Sequence, residues 1–155
     1  MLDRARISYT LVPYTVDEAD LSARHIAAQL GEDISQVFKT LVLRGDRSGY
    51  FVCVMPGDME VDLKAAARLA GAKKADLIPM KELLGVTGYI RGGCSPLGMK
   101  KHFPTWFDAS ALDHDKIYVS AGVRGRQICA APADLICAAG AETAPIAKRP
   151  EDADV

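Results

Sequence analysis

The run from Val37 to Pro56, VFKTLVLRGDRSGYFVCVMP, constrains the fold more than any other part of the chain. Two stretches rich in β-branched and aromatic residues flank Gly45-Asp46-Arg47-Ser48-Gly49, the pattern of a β-hairpin. Both stretches are apolar at odd and at even positions. A strand with one wet face alternates apolar with polar residues, so strands without that alternation must be covered on both sides. They belong in the interior of a sheet or in a barrel wall. In a chain of 155 residues this favours a closed or nearly closed sheet wrapped by helices.

The remaining segments fit that frame. A short strand is expected over Ile7 to Val12. After Pro13 and Thr15, the residues Val16, Ala19, Ala23, Ile26 and Leu30 fall on one helical face, with Asp17, Glu18 and Asp20 in the first turn and Gly31 as the stop. Asp62 is placed to cap DLKAAARLAG, which Gly71 ends. Pro79 opens a third helix, PMKELLG. The segment GYIRGGCSPLGMKKHFPTWFD holds too many breakers for a helix. IYVSAG and RQICAA form a second strand pair about a Gly-Val-Arg-Gly turn, and PADLICAAG is a last helix. Hairpins separated by helices define an α+β class: a single domain over 1–140, with a mixed, mostly antiparallel, barrel-like sheet surrounded by helices. Residues 141–155 are polar and expected to fray.

Composition excludes several functions. No apolar run approaches the roughly 20 residues that span a bilayer. The start, MLDRARISYTLVPY, has no continuous apolar segment of the secretory kind, so a cytoplasmic protein is expected. Cys53, Cys94, Cys129 and Cys137 form no Cys-x-x-Cys pair and have no histidine at zinc spacing. Buried, reduced thiols and a reducing compartment are expected instead. No metal and no cofactor are expected either, since Walker and dinucleotide fingerprints are absent. The net charge of −1 gives no blanket attraction to nucleic acid. Between Arg91 and Arg126, however, Arg91, Lys100, Lys101, Lys116, Arg124 and Arg126 outnumber Asp108, Asp113 and Asp115. This is either a local basic surface or a scatter of solvated charges.

Few residues stand out as chemistry. Gly-Gly-Cys94-Ser95-Pro96 lacks the geometry of a nucleophile elbow, and His25, His102 and His114 show no pairing. Lys39 is the odd residue. It sits in VFKTLVL and shares a strand face with Leu41 and Leu43. A lone ammonium cannot be buried unpaired, so Lys39 either snorkels to solvent or serves an anion in a cleft. Gly92, Gly93 and Gly98 either let backbone donors approach a ligand or merely shape turns. Ser120 ends IYVS at a loop mouth.

In this order, VFKTLV, DLKAAARLAGAKKADL, TGYIRGGCSPLGMKK, PTWFDAS and IYVSAGVRG resemble the YbaK family of aminoacyl-tRNA deacylases, freestanding relatives of the editing domain of bacterial prolyl-tRNA synthetases. The likeness runs from about Tyr14 to Ala138. It implies an α+β fold with a barrel-like sheet and makes Lys39 the essential lysine, with Thr40 beside it. Gly92 and Gly93 correspond to the glycine pair of the substrate loop, Ser120 to the serine of Tyr-Val-Ser-x-Gly, and Tyr14 to a pocket tyrosine. The chain departs from the family at Tyr14-Thr15-Val16-Asp17, where Tyr-Glu-His-Asp is common, and Ser22 falls near the place of a family aromatic.

The resemblance implies trans-editing: removal of cysteine from mischarged Cys-tRNA(Pro), the substrate's own thiol cleaving the ester. The enzyme would be an ester hydrolase, or a lyase if the thiol cyclises. Its partner would be mischarged tRNA, with prolyl-tRNA synthetase a further candidate. Lys100, Lys101, Arg124 and Arg126 are the expected tRNA phosphate contacts. Two alternatives stay open: a non-enzymatic RNA- or nucleotide-binding regulatory module, and a deacylase for alanine or another small amino acid.

Overall fold

The computed structural model describes residues 7–17 and 19–150. In chain order the elements are β1 (Tyr9–Pro13), α1 (Ala23–Leu30), β2 (Phe38–Gly45), β3 (Gly49–Pro56), β4 (Glu60–Val61), α2 (Leu63–Ala70), β5 (Ala75–Leu77) and α3 (Met80–Thr87). Then follow β6 (Thr105–Asp108), β7 (Ile117–Ser120), β8 (Arg126–Ala130), α4 (Pro132–Ala138), β9 (Glu142–Ala144) and β10 (Ala147–Lys148). The α+β class is as expected.

The hairpin is the centre of the molecule. β2 and β3 pair antiparallel from Phe38↔Pro56 to Gly45↔Gly49 and lie inside a five-stranded sheet ordered β5-β2-β3-β6-β9. Being interior strands, they bury both faces. Phe38, Val42, Val52 and Val54 pack with Phe107, Val119, Ile128 and Leu135 on one side. Leu43, Phe51, Cys53 and Met55 pack against Ala66 and Ala67 of α2 and against Ile146 on the other. This accounts for the missing alternation in their sequence. The pairs β3–β6 and β6–β9 are parallel, so the sheet is mixed.

The barrel is incomplete. β1, β8 and β7 form a separate antiparallel sheet, and β4 pairs with β10 in a third. Among the described residues the two larger sheets join at one isolated bridge, Val37↔Tyr118. The wall stops short of closing there, two residues before Lys39.

Several local expectations need correction. The first helix begins at Ala23, capped by the Ser22 hydroxyl, and not near Val16. Asp17 accepts from the Ala19 N–H and Asp20 from the Ser22 N–H, both at 3.0 Å. Such side-chain bonds compete with helical ones and hold the segment in turns. Glu18 lies outside the described residues. The third helix runs through Gly85 to Thr87, with Pro79 as its N-cap residue. Thr105–Asp108, read as part of an irregular segment, is an interior strand. Cys137 is exposed, whereas Cys53, Cys94 and Cys129 are buried.

The tail does not fray at 141. Ile146 is fully buried, its N–H and that of Ala147 each reach the Asp108 carboxylate at 3.1 Å, and its carbonyl accepts from the Asp62 N–H at 2.7 Å. One buried carboxylate thus ties two backbone donors to the core, an arrangement stronger than neutral hydrogen bonds. Residues 151–155 lie outside the described residues.

Candidate active site

Beyond the Val37–Tyr118 bridge, β2 and β7 are no longer bonded, and a cavity of about 310 Å³ occupies the space. Lys39, Thr40 and Leu41 of β2 line one side, Ser120 of β7 and Gln127 of β8 another. The start of α1 and the loop at Arg91, Gly92 and Cys94 complete the wall. The incomplete barrel makes this opening. It gathers Lys39, Thr40, Gly92 and Ser120 from distant parts of the chain.

Lys39 is half-buried, and its ammonium donates to the Met59 carbonyl at 2.6 Å. Burial lowers its pKa, while the carboxylates of Glu60 and Asp58 act in the opposite direction. The side chain therefore neither snorkels freely nor pairs directly with an acid. It is held as a donor by the turn between β3 and β4, with its charge at the edge of the cavity.

The cavity holds polar atoms with nothing to bind. Thr40 Oγ1 and Gln127 Oε1 are both shut off from solvent, and neither has a hydrogen-bond partner. Native interiors rarely leave such atoms unpaired, because each costs about 1–3 kcal/mol. The two belong to residues on two sides of the cavity, Thr40 on β2 and Gln127 on β8. Ser120, paired in register with Gln127, accepts from the Gly122 N–H at 3.2 Å, which tightens the β7–β8 turn. Gln127 escaped the sequence reading, yet its signal was of the Lys39 kind: an amide directly before the apolar run Ile-Cys-Ala in a strand.

The two loop glycines differ. Gly92 adopts φ +83°, in the left-handed region that favours glycine. A Cβ there would meet the Leu21 side chain and Arg124 Nε, at 3.4 and 3.3 Å. Its N–H has no backbone partner among the described residues. Gly93 lies behind the cavity: its N–H is taken by the Ile90 carbonyl at 3.0 Å, and a Cβ would touch the backbone of Val123 and Arg124. Tyr14 is also off the lining. It packs with Ile26, Ala27 and Val37 beneath α1, and its N–H bonds the Gly125 carbonyl at 2.9 Å. Ser22, by contrast, does line the cavity.

The expected tRNA contacts separate into two places. Arg124 braces the glycine loop, its Nε donating to the Arg91 carbonyl at 2.8 Å, and exposed Arg126 begins β8 nearby. Lys100 and Lys101 flank the end of the irregular segment, Lys101 at a different cavity that includes His102 and Gly140. They do not converge on Lys39. Among the described residues no three His, Cys, Asp or Glu side chains cluster as metal ligands, and no helix is long and apolar enough to cross a membrane.

The site is thus a gap in an unclosed mixed sheet, with one lysine and a glycine turn in its lining. The aminoacyl-tRNA editing domain family matches residues 18–138, and the chain belongs to that family. The resemblance read from the motifs is borne out. EbsC of Enterococcus faecalis, described as a candidate Cys-tRNA(Pro)/Cys-tRNA(Cys) deacylase, is 43% identical over 136 residues, 88% of this chain and 83% of that one. The uncharacterised YwhH of Bacillus subtilis is 26% identical over 119 residues, 77% of this chain and 75% of its own. Among solved structures, the hypothetical protein APE2540 superposes with a TM-score of 0.86 at 25% identity, covering 95% of this chain and 96% of that one. A candidate trans-editing enzyme for prolyl-tRNA synthetase gives 0.80 at 24% identity, covering 90% and 87%, a likeness of fold.

Proposed function

We propose that the cavity deacylates tRNA mischarged with cysteine, Cys-tRNA(Pro) above all, with the substrate's own thiol as nucleophile. The observation that carries this reading is the chemistry of the lining. Among the described residues it contains no histidine and no carboxylate. Burial pushes the Cys94 thiol up to about 11, so it stays protonated and unreactive at neutral pH. The Ser22 hydroxyl caps α1 and is hydrogen-bonded to the Asp20 carboxylate, a bond that lowers the Asp20 pKa and so makes that carboxylate a weak base.

A cysteinyl ester brings the missing nucleophile. Its sulfur attacks the ester carbonyl carbon, the bond from that carbon to the ribose oxygen breaks, and the thiol proton ends on the departing ribose hydroxyl. Cysteine leaves as a thiolactone. The protein then supplies position and charge, effects worth several kcal/mol without a catalytic base. Gly92 offers its N–H to the developing oxyanion. Thr40 Oγ1 and Gln127 Oε1 accept from the substrate's α-ammonium, and Lys39 fixes the terminal nucleotide. The description of EbsC supports cysteine as the amino acid. A prolyl-tRNA synthetase that mischarges its tRNA is the fitting supplier of substrate.

Single-turnover deacylation tests the reading. Cys-tRNA(Pro) should be cleaved and Ser-tRNA(Pro), which replaces sulfur by oxygen, should be nearly inert. Equal rates on both would overturn the thiol mechanism. Binding without cleavage of either ester would make the protein an RNA-binding module.

A further inference from the structure

A second cavity, of about 540 Å³, adjoins the first. Ala23 and Gly57 line the first, and their chain neighbours Arg24, Pro56 and Asp58 line the second. The partition between them is the contact of α1 with the β3–β4 turn. It is as low as side chains allow: a Cβ at Gly57 would run into the Ala23 methyl, and the Gly57 N–H bonds the Val37 carbonyl at 2.9 Å. Met59 belongs to both sides, accepting from Lys39 while lining the second cavity.

The second cavity gathers basic side chains. Arg24 from α1, His114 from the loop before β7 and Arg149 from the end of the described chain all line it. Arg24 forms no hydrogen bond or ion pair among the described residues. Of the two carboxylates in the lining, Asp108 is engaged with Ser110 and the Ile146 and Ala147 N–H groups, while Asp58 lies close enough to act on the Lys39 charge. An Arg24 guanidinium that no acid among the described residues pairs with, lining a concave site, suits a phosphodiester.

We propose that this cavity is a subsite for the phosphodiester joining the last two nucleotides of the tRNA 3′ end. The terminal adenosine ester occupies the first cavity, and the strand crosses the Ala23–Gly57 saddle into the second, where Arg24 takes the phosphate. This rests on the deacylase reading, since it needs an aminoacylated 3′ end in the first cavity.

Two synthetic substrates test it on the full chain: the cysteinyl ester of adenosine, which has no phosphodiester, and that of the cytidylyl-adenosine dinucleotide, which has one. The dinucleotide ester should be turned over with kcat/KM about tenfold higher, the scale of one charge-assisted hydrogen bond. Arg24→Gln should remove that advantage while leaving the adenosine ester within about twofold, which also reports intact folding. If the wild type treats both esters alike, or if the variant slows both equally, the subsite is wrong and the deacylase reading survives. If the wild type cleaves neither ester nor Cys-tRNA(Pro), both fall together.

Discussion

Thr40→Val should make the protein more stable and less active at once. Thr40 Oγ1 is sealed from water without a partner, so the folded state carries its desolvation cost with nothing in return. Valine has nearly the same shape, keeps the β-branch that suits strand β2, and removes the unpaired oxygen. Of the ~1–3 kcal/mol such an atom costs, a gain of about 1 kcal/mol is expected, because the side chain sits on a cavity wall and relaxes in part. For a domain of this size that raises Tm by roughly 2–4 °C. Under the proposed mechanism the same oxygen accepts from the substrate ammonium, and losing a charged hydrogen bond of ~1.5–3 kcal/mol lowers kcat/KM by about 10- to 100-fold. Differential scanning calorimetry and single-turnover deacylation of Cys-tRNA(Pro) read the two effects separately. A fall in Tm would mean that the hydroxyl has a partner in the folded protein. A rise in Tm with unchanged kcat/KM would mean that no ligand donor uses it.

Lys39→Ala should reduce deacylation by about 100-fold or more, the scale of misplaced reactants, while stability falls by about 1 kcal/mol for the missing bond to Met59; Lys39→Arg should rescue little, because a planar guanidinium cannot occupy the ammonium's place 2.6 Å from that carbonyl. Near-normal rates for a folded Lys39→Ala would remove Lys39 from the site. The rate should climb with pH until the substrate thiol ionises, about 8.5 for an ordinary cysteine. Cys94→Ala should reproduce that profile, since a thiol raised to about 11 stays protonated across the range; a limb absent from the variant's profile would implicate the enzyme's sulfur. Lys100→Ala with Lys101→Ala should flatten the salt dependence of tRNA affinity, by about 0.7–0.9 in log–log slope for each phosphate left unneutralised, and keep single-turnover rates at saturation unchanged. An unaltered slope would place the tRNA elsewhere.

The hairpin was legible because both of its strands break the two-residue alternation, and only a doubly covered position permits that. The helix at Leu63–Ala70 was legible from its ends, Asp62 and Gly71. Failures came where local polarity disguised long-range pairing. Glu142–Lys148 reads as a tail until Asp108, over thirty residues earlier, supplies its backbone bonds. Thr105–Asp108 follows a proline in a breaker-rich stretch and becomes a strand only through β3 and β9. Lys39 could be singled out by its apolar surroundings, but its bond to Met59 depends on the turn after β3. Tyr14 and Gly93 were carried over by resemblance, and the fold sets both behind the cavity wall.

Strand β10 has a part in this site that its position gives no hint of. It pairs with β4, Ala147 opposite Val61 and Lys148 opposite Glu60, directly after the carbonyl of Met59 that seats the Lys39 ammonium. During synthesis the ribosome releases β2, β3 and the lysine long before it makes this clasp. A nascent chain can therefore assemble most of its core while the lysine's anchor is still loose. The last strand to be made thus completes the setting of a lysine made more than a hundred residues earlier.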